Sequence, residues 1–225
     1  MSQTDFEAGE VPAKRGQRRR GRPKGSKSSN VAGEVTRAKL IEVSLELFSR
    51  QGFAGVSIGA VSDVSGVAKG SITHHFPNKK HLYQAVLEVV GSGLKNACLI
   101  AFDPSRPLGE RLENLIDGII LWSFENEAQA RMVAFELLGL SERGKIPPEW
   151  ALTEHMENTM HLLTRGQEEA LLVEDCSPLA LLEVIFGLAV FSAIHKPCIS
   201  EERGIAPSSA QEAQTLLRQS IFKSA

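Results

Sequence analysis

The chain has 225 residues, of which 42% are apolar and 23% are charged, the composition of an ordinary globular protein. Its longest apolar run, residues 179–194, contains Glu183 and is shorter than the about 20 residues that a membrane-spanning helix needs. The three cysteines (Cys98, Cys176 and Cys198) are odd in number and lack CxxC or Cys/His spacing. We therefore expect no membrane segment, no disulfide framework and no zinc site, and predict a location in the reducing cytoplasm.

Charge is distributed unevenly along the chain. Residues 1–33 carry eight Lys or Arg against three acids, whereas the rest of the chain carries 17 basic and 24 acidic residues. This basic segment is rich in Gly and Ser and has almost no apolar periodicity, so a disordered arm is predicted over residues 1–33. Within it, the run Arg20-Gly21-Arg22-Pro23 resembles the core of an AT-hook, although Arg19 replaces the usual preceding proline. Arg20 and Arg22 are therefore predicted to enter a narrow A-T-rich minor groove; a solvated basic leader is the alternative.

Four helices are predicted over residues 34–94 and slightly beyond, from apolar spacing and from cap residues. The first helix follows a helical apolar pattern that runs from about Val35 to a stop at Gly52, and Ser57 is the N-cap of the second helix. A turn at Gly66 precedes the third helix, over residues 68–75. Asn78 is the N-cap of the fourth helix, which runs from Lys79 to about Asn96.

A helix, a glycine turn and a short helix in this order are typical of a helix-turn-helix, whose second helix places its N-terminal residues against base edges in the major groove. Glycine at position 70 costs a helix roughly 1 kcal/mol relative to alanine, which is easiest to justify if another molecule must approach the backbone closely. The side chains expected to face the core are those of Val61, Val64, Val67 and Ile72, and those expected to face outward are Lys69, Ser71, Thr73 and His74.

Residues 34–94 as a whole resemble the DNA-binding domain of TetR-family transcriptional regulators. The residues that carry the resemblance are Ala38, Ile41, Leu45, Phe48, Gly52, Phe53, Ser57, Ile58, Val61, Gly66, Val67, Lys69, Gly70, Ile72, His75, Phe76, Lys79, Leu82 and Tyr83. The resemblance implies phosphate contacts at Ser57, Thr73, His75 and Lys79. It implies contacts to bases or nearby backbone at Lys69, Gly70, Ser71 and His74.

The chain departs from the family pattern at two of these positions, where many members carry tyrosine. Thr73 keeps a hydroxyl without the reach of tyrosine. His74 can donate or accept a hydrogen bond, and its protonation would make DNA binding pH-sensitive. The alternative is that His74 and His75 are one exposed and one packed histidine without a special role.

Residues 95–225 are predicted to form a helical ligand-binding and dimerisation domain, which completes an all-α fold of about nine helices. His155 and His161 do not form HExxH, and no P-loop or nucleophile elbow is present, so we expect neither an enzyme nor a cofactor or metal. By the same resemblance, this domain would hold a pocket for a small hydrophobic or aromatic effector; plain core packing is the alternative. The candidate pocket residues are Trp122, Met132, Phe135, Trp150, Met156 and Met160.

Two start signals mark the last two helices. Ser177-Pro178 opens an apolar helix that reaches about Lys196, and residues 209–212 form a capping box for the final helix. The first of these helices is apolar nearly all round and must be covered on several sides. Self-association of the two helices into a four-helix bundle is predicted, as the resemblance also implies; burial within one subunit is the alternative.

These expectations together describe a cytoplasmic homodimer that binds double-stranded DNA at a pseudo-palindromic operator. Its two reading helices would enter successive major grooves about 34–36 Å apart. We predict a repressor that a small-molecule effector releases from DNA, with the helix over residues 79–96 as the lever between the domains. An architectural DNA-binding protein without an effector is the alternative.

Overall fold

The computed structural model describes residues 27–143, 152–195 and 209–223, and its regular elements in these ranges are nine helices, with no strand among them. The predicted all-α fold is therefore confirmed. The helices are α1 (Lys27–Gly55), α2 (Ile58–Ser65), α3 (Lys69–His75), α4 (Lys79–Ala97), α5 (Leu108–Glu125), α6 (Glu127–Arg143), α7 (Thr153–Glu168), α8 (Pro178–Ile194) and α9 (Ala210–Ile221).

The chain divides into two compact units, residues 1–35 and residues 36–225. Of the first unit, residues 27–35 are described, and they belong to α1. The helix begins at Lys27 rather than near Val35, and the disorder predicted for residues 1–33 stays a prediction. Extending an existing helix adds one hydrogen bond for each residue fixed and needs no new nucleation, so polar residues ahead of the apolar pattern can join it.

Helix ends follow the predicted cap chemistry closely. Gly52 interrupts α1 with a φ of 66° and a ψ of 177°, and the chain then continues helically to Gly55. Ser57 and Asn78 cap α2 and α4 by accepting a hydrogen bond from a backbone N–H three residues on. The final helix opens with the predicted capping box, in which Ser209 and Glu212 exchange side-chain to backbone hydrogen bonds.

The core of the helix-turn-helix differs from the prediction at one position. Val61 and Ile72 are fully buried and Val67 is half-buried, but Val64 is 62% exposed. On α2 the buried face runs from Val61 to Ser65, one full helical turn later, rather than to Val64. The Ser65 side chain is retained there because its hydroxyl accepts a hydrogen bond from the Val67 N–H at 3.2 Å.

The helices after α4 pack around α5, which contacts α4, α6, α7, α8 and α9. Its buried residues are Leu108, Leu112, Leu115, Ile116, Ile119, Ile120, Trp122 and Ser123. The crossing of α5 over the end of α4 is especially tight, because a β-carbon on Gly118 would lie 2.5 Å from the Ala97 carbonyl oxygen. Only glycine allows that approach.

Helix α8 is apolar on both its inner and its outer face. Leu181, Ile185 and Ala189 are buried in the core, whereas Val184 and Phe191 are exposed. In the part of the chain that is described, no helix is both long enough and apolar enough to cross a membrane.

Candidate nucleic-acid interface

Helix α3 presents a polar surface on a single apolar anchor. Ile72 is its one buried residue and fixes the helix to the core. The side chains predicted to face outward are all exposed: Lys69, Ser71, Thr73 and His74. The helix is therefore anchored to the core through Ile72 and presents its polar side chains to solvent.

The turn between α2 and α3 is fixed by backbone conformation and by two serines. Gly66 adopts the left-handed conformation, with a φ of 69° and a ψ of 10°, which glycine enters without the steric cost of a β-carbon. Ser62 donates a hydrogen bond from its hydroxyl to the Val67 carbonyl oxygen at 2.8 Å. Together with the Ser65 bond to the Val67 N–H, this bond holds the turn from both sides, so α3 has a defined angle to α2.

Gly70 lies in open space on α3. A β-carbon at this position would meet no protein atom within 4 Å, so packing within the described chain does not require glycine. The sequence-based explanation, close approach by an external partner, is consistent with this opening. The neighbouring Thr73 hydroxyl donates back to the Gly70 carbonyl oxygen at 3.0 Å, so a phosphate contact from Thr73 would require that hydroxyl to rotate.

Ser57 and Lys69 converge at the N-terminus of α2. The Ser57 hydroxyl oxygen and the Lys69 ammonium nitrogen each lie 3.3 Å from the point that a β-carbon on Gly59 would occupy. Ser57 accepts the Ala60 N–H at 3.0 Å, which leaves its hydroxyl hydrogen free to donate. A hydroxyl donor, an ammonium group and the positive end of a helix dipole are an arrangement that favours a phosphate.

Lys79 has a structural role that the sequence did not reveal. Its ammonium group donates to the carbonyl oxygens of Phe53 at 2.9 Å and Val56 at 3.0 Å. It also lies 4.3 Å from the centre of the Phe53 ring, a cation–π contact. Lys79 thus ties the start of α4 to the segment between α1 and α2, and its phosphate contact stays a prediction.

The two histidines at the end of α3 differ in exposure. His74 is exposed and His75 is half-buried, with their ring centres 5.7 Å apart. His75 also contacts the ring of Phe76 at 6.4 Å between ring centres. The predicted roles of both histidines towards DNA remain predictions, as do those of Arg20 and Arg22, which lie outside the described residues.

The predicted effector residues do not share one environment. Trp122 and Met132 are buried, and Met156 and Met160 are half-buried against the core. Trp150 lies outside the described residues. Their assignment to an effector site remains a prediction.

Phe135, the remaining candidate, contacts α1 at Gly52 and is exposed rather than buried in the core. It is exposed on α6, and its ring lies 3.6 Å from the point that a β-carbon on Gly52 would occupy. This contact joins two positions 83 residues apart in the sequence, which no local pattern could indicate. Phe135 is therefore part of the junction between α1 and α6, and its effector role remains a prediction.

A buried hydrogen bond lies at the same junction. The Tyr83 hydroxyl on α4 donates to a Glu136 carboxylate oxygen on α6 at 2.7 Å. Tyr83 also makes edge contacts with Phe48 and Phe53, at 4.9 Å and 5.0 Å between ring centres. Tyr83 is among the residues that carry the family resemblance, but no local pattern indicates its partner, because Glu136 alone looks like an ordinary surface acid.

Cys98 offers little thiolate chemistry. Cys98 is buried at the end of α4, and burial raises the pKa of its thiol to about 12. Because the thiolate is the reactive form, Cys98 acts as a small apolar core residue. Among the described residues, no group of three or more His, Cys, Asp or Glu side chains is placed to hold a metal ion.

The fold and this surface define a class: an all-α protein whose helix-turn-helix is joined to a larger helical domain. Residues 40–86 match the family model described as bacterial regulatory proteins, tetR family. Over this segment the chain is similar to the TetR family of transcriptional regulators.

Individual relatives agree with that assignment. The chain is 30% identical to the transcriptional regulator AcrR of Shigella flexneri over 110 residues, which is 48% of this chain and only half, 50%, of AcrR. It is 23% identical to the transcriptional repressor SCO4008 of Streptomyces coelicolor over 85% of this chain and 94% of that protein. The structure of AibR in complex with isovaleryl coenzyme A and operator DNA is 14% identical, with a TM-score of 0.62. The alignment covers 82% of this chain and 97% of AibR, and it shows a similarity of fold alone.

Proposed function

We propose that this protein is a dimeric, sequence-specific transcriptional repressor that acts in the cytoplasm and is released from its operator by a small-molecule effector. The observation that carries the proposal is the exposed polar face of α3, held to the core by Ile72 alone. Two similar proteins support the finer points. SCO4008 is a transcriptional repressor by name, and AibR was solved with both isovaleryl coenzyme A and operator DNA.

In the proposed complex, α3 enters the major groove and Lys69, Gly70, Ser71 and His74 face bases or nearby backbone. Ser57, Thr73, His75 and Lys79 face phosphates on either side. The convergence of Ser57 and Lys69 on the start of α2 supports a phosphate there in particular. Residues 34–94 would then be the DNA-binding domain, and residues 95–225 the effector and dimerisation domain.

Binding to a selected operator tests the role of α3 directly. Oligonucleotides are selected from a random pool with the full chain, and affinity is measured by fluorescence anisotropy at several salt concentrations. Lys69→Met should lower affinity and reduce the slope of log affinity against log salt by about 0.9 if the ammonium group neutralises one phosphate. Lys223→Met is the control, because Lys223 pairs with Glu174 at the far end of the chain. Equal slopes for both variants would contradict the role of Lys69.

The basic arm is tested by deleting residues 1–26, a truncation that leaves α1 intact. If Arg20 and Arg22 enter the minor groove, the truncated protein should bind the operator more weakly. The slope should fall by about 0.9 for each phosphate that the arm neutralises in the full chain. An unchanged slope would leave the arm as a solvated leader.

A homodimer through α8 and α9 is proposed from their outer surface. Large apolar side chains are exposed along both helices: Leu179, Val184 and Phe191 on α8, and Leu216 on α9. Exposed apolar side chains on neighbouring helices are typical of interaction sites when they form one patch. Gly187 lies on the same helix as Phe191, and a β-carbon there would meet nothing within 4 Å, so a partner helix has room to approach closely.

Sedimentation of the full chain tests the dimer. Phe191→Glu should shift the protein towards monomer, because a buried unpaired carboxylate opposes association. Leu138→Glu is the matched control, since Leu138 is also an exposed apolar residue but lies on α6. If Phe191→Glu sediments as the wild type does, α8 is not the interface.

Effector control would pass through the junction of α4 and α6. The Tyr83–Glu136 hydrogen bond and the Phe135 contact with Gly52 support a coupling between the helical domain and the DNA-binding segment. Tyr83→Phe should leave DNA binding intact while changing how strongly an effector lowers it; allosteric coupling is typically about 1–3 kcal/mol. An architectural protein, the alternative, would show weak sequence preference and no release by any compound.

A further inference from the structure

Helix α7 buries two polar side chains one helical turn apart. His155 is 3% exposed and Thr159 is fully buried. Both ring nitrogens of His155 and the Thr159 hydroxyl lack a hydrogen-bond partner among the described residues. Because residues four apart share one face of a helix, the two groups lie side by side. Buried polar groups without partners cost stability, so their retention calls for a polar partner that the described residues do not supply.

His155 is set in an apolar frame. The rings of Phe102 and Phe186 meet it edge-on, at 5.5 Å and 6.0 Å between ring centres. Burial lowers the pKa of His155 to about 4, so the imidazole is neutral at pH 7. A neutral imidazole offers one N–H donor and one nitrogen acceptor, and the Thr159 hydroxyl likewise donates and accepts.

A crevice gives access to His155 from outside. It has a volume of about 260 Å³, lies between α4 and α7, and is lined by Glu88, Gly91, Ser92, Lys95, Glu154 and His155. That volume is slightly below the range of about 300–1,000 Å³ typical of drug-sized ligands, so the occupant is a small molecule. The Lys95 ammonium already pairs with the Glu154 carboxylate at 2.8 Å, and Glu88 adds a second negative charge. The mouth therefore disfavours an anion.

We propose that this crevice, with His155 in its lining and the Thr159 hydroxyl one helical turn further along α7, binds a small uncharged hydroxyl compound of the phenol type. The ligand hydroxyl donates to the unprotonated ring nitrogen of His155 and accepts from the Thr159 hydroxyl. Its apolar body occupies the crevice beside the His155 ring, which Phe102 and Phe186 hold in place. This inference names the chemical class of the proposed effector and rests on that proposal for its consequence at the operator, but binding itself does not depend on DNA.

Three probes of similar size separate the possible causes of binding. They are p-cresol, with a neutral hydroxyl; toluene, with none; and p-toluate, with a carboxylate. The full chain is labelled with ¹⁵N-histidine and titrated while the ring nitrogens of His155 are followed by NMR. We expect saturable shifts with p-cresol and at least about tenfold weaker binding of the other two, since one 1.4 kcal/mol hydrogen bond corresponds to a factor of ten. Equal affinity for toluene would overturn the proposal.

Thr159→Val is the decisive variant, because it removes the hydroxyl with little change in shape. It should weaken p-cresol binding about tenfold and, without a probe, unfold at the same or a higher temperature than the wild type, because an unpartnered buried hydroxyl has been deleted. His161→Phe is the control, as His161 is exposed on the same helix. Unchanged p-cresol affinity, or a lower unfolding temperature, would show a structural role and refute the site.

Operator binding without a probe keeps the two proposals apart. If the wild-type chain binds the operator but not p-cresol, the hydroxyl site alone fails. If it binds p-cresol at His155 but no DNA, the proposed function fails and the site stands.

Discussion

The helix-turn-helix and helix α7 place their polar side chains in opposite ways. On α3, polar groups face solvent and one apolar residue holds the helix to the core. On α7, His155 and Thr159 are buried without partners among the described residues. A polar face exposed to solvent can contact a large polyanion such as DNA. Buried polar groups without partners can be reached only by a small molecule. We therefore propose different partners for the same residue types, according to burial.

The largest expected effect is the change in the free energy of unfolding with pH that results from the burial of His155. Its pKa is about 4 in the folded chain, against 6.5 for an unperturbed histidine. Between these values the unfolded state binds the proton and the folded state does not, so stability is complete above about pH 6.5 and falls as the pH drops towards 4. The loss amounts to roughly 3 kcal/mol.

Urea unfolding at pH 7 and pH 4.5 measures that loss. His155→Phe should lose less stability on acidification than the wild type, because the titrating group is gone. His161→Phe, on the exposed face of α7, should keep the wild-type fall. Identical falls in all three proteins would show that His155 is not held neutral by burial.

The next effect concerns the tight crossing of α4 and α5. Gly118→Ala would bring a β-carbon to 2.5 Å from the Ala97 carbonyl oxygen, and such overpacking costs about 1–3 kcal/mol or more. Gly109→Ala on the same helix meets nothing within 4 Å and should be neutral or slightly stabilising. Chemical denaturation compares the two; equal stability would mean that the helices can separate at little cost.

A smaller effect is expected at Lys79, whose ammonium ties α4 to Phe53 and Val56. Lys79→Met should lower the free energy of unfolding by about 1 kcal/mol. This loss is small for hydrogen bonds to a charged group, because the side chain is only half-buried and solvent weakens the interaction. Lys80→Met, at the exposed neighbouring position, should change stability little. A Lys79 variant with unchanged stability but a lower salt slope on the operator would assign the residue to phosphate alone.

The smallest effect on stability is expected at Gly70, where the effects on stability and on operator binding should have opposite signs. Gly70→Ala should raise stability by roughly 0.5–1 kcal/mol through helix propensity, because a β-carbon meets no protein atom there. It should nevertheless weaken operator binding if DNA approaches this backbone closely. Thermal unfolding and anisotropy on the same preparation measure both changes, and unchanged operator affinity would remove the explanation for glycine at this position.

Local signals accounted for the helices and for part of the site. Cap residues such as Ser57, Asn78 and Ser209 act on backbone groups within three residues, so sequence alone located these helix starts. Val64 was assigned wrongly, because spacing does not decide whether the third or the fourth residue after Val61 turns inward. The Lys79 clamp and the Tyr83–Glu136 bond were missed, since their partners are separated by 23 to 53 residues.

The sequence by itself determined the helical class and the helix-turn-helix, because periodicity, caps and the glycine turn act over a few residues. The tertiary structure alone decided that Phe135 meets Gly52, that α8 keeps an exposed apolar face, and that His155 and Thr159 lie buried without partners among the described residues. Burial depends on which distant helices pack over a side chain. That packing is a property of the whole chain, and local spacing does not contain it.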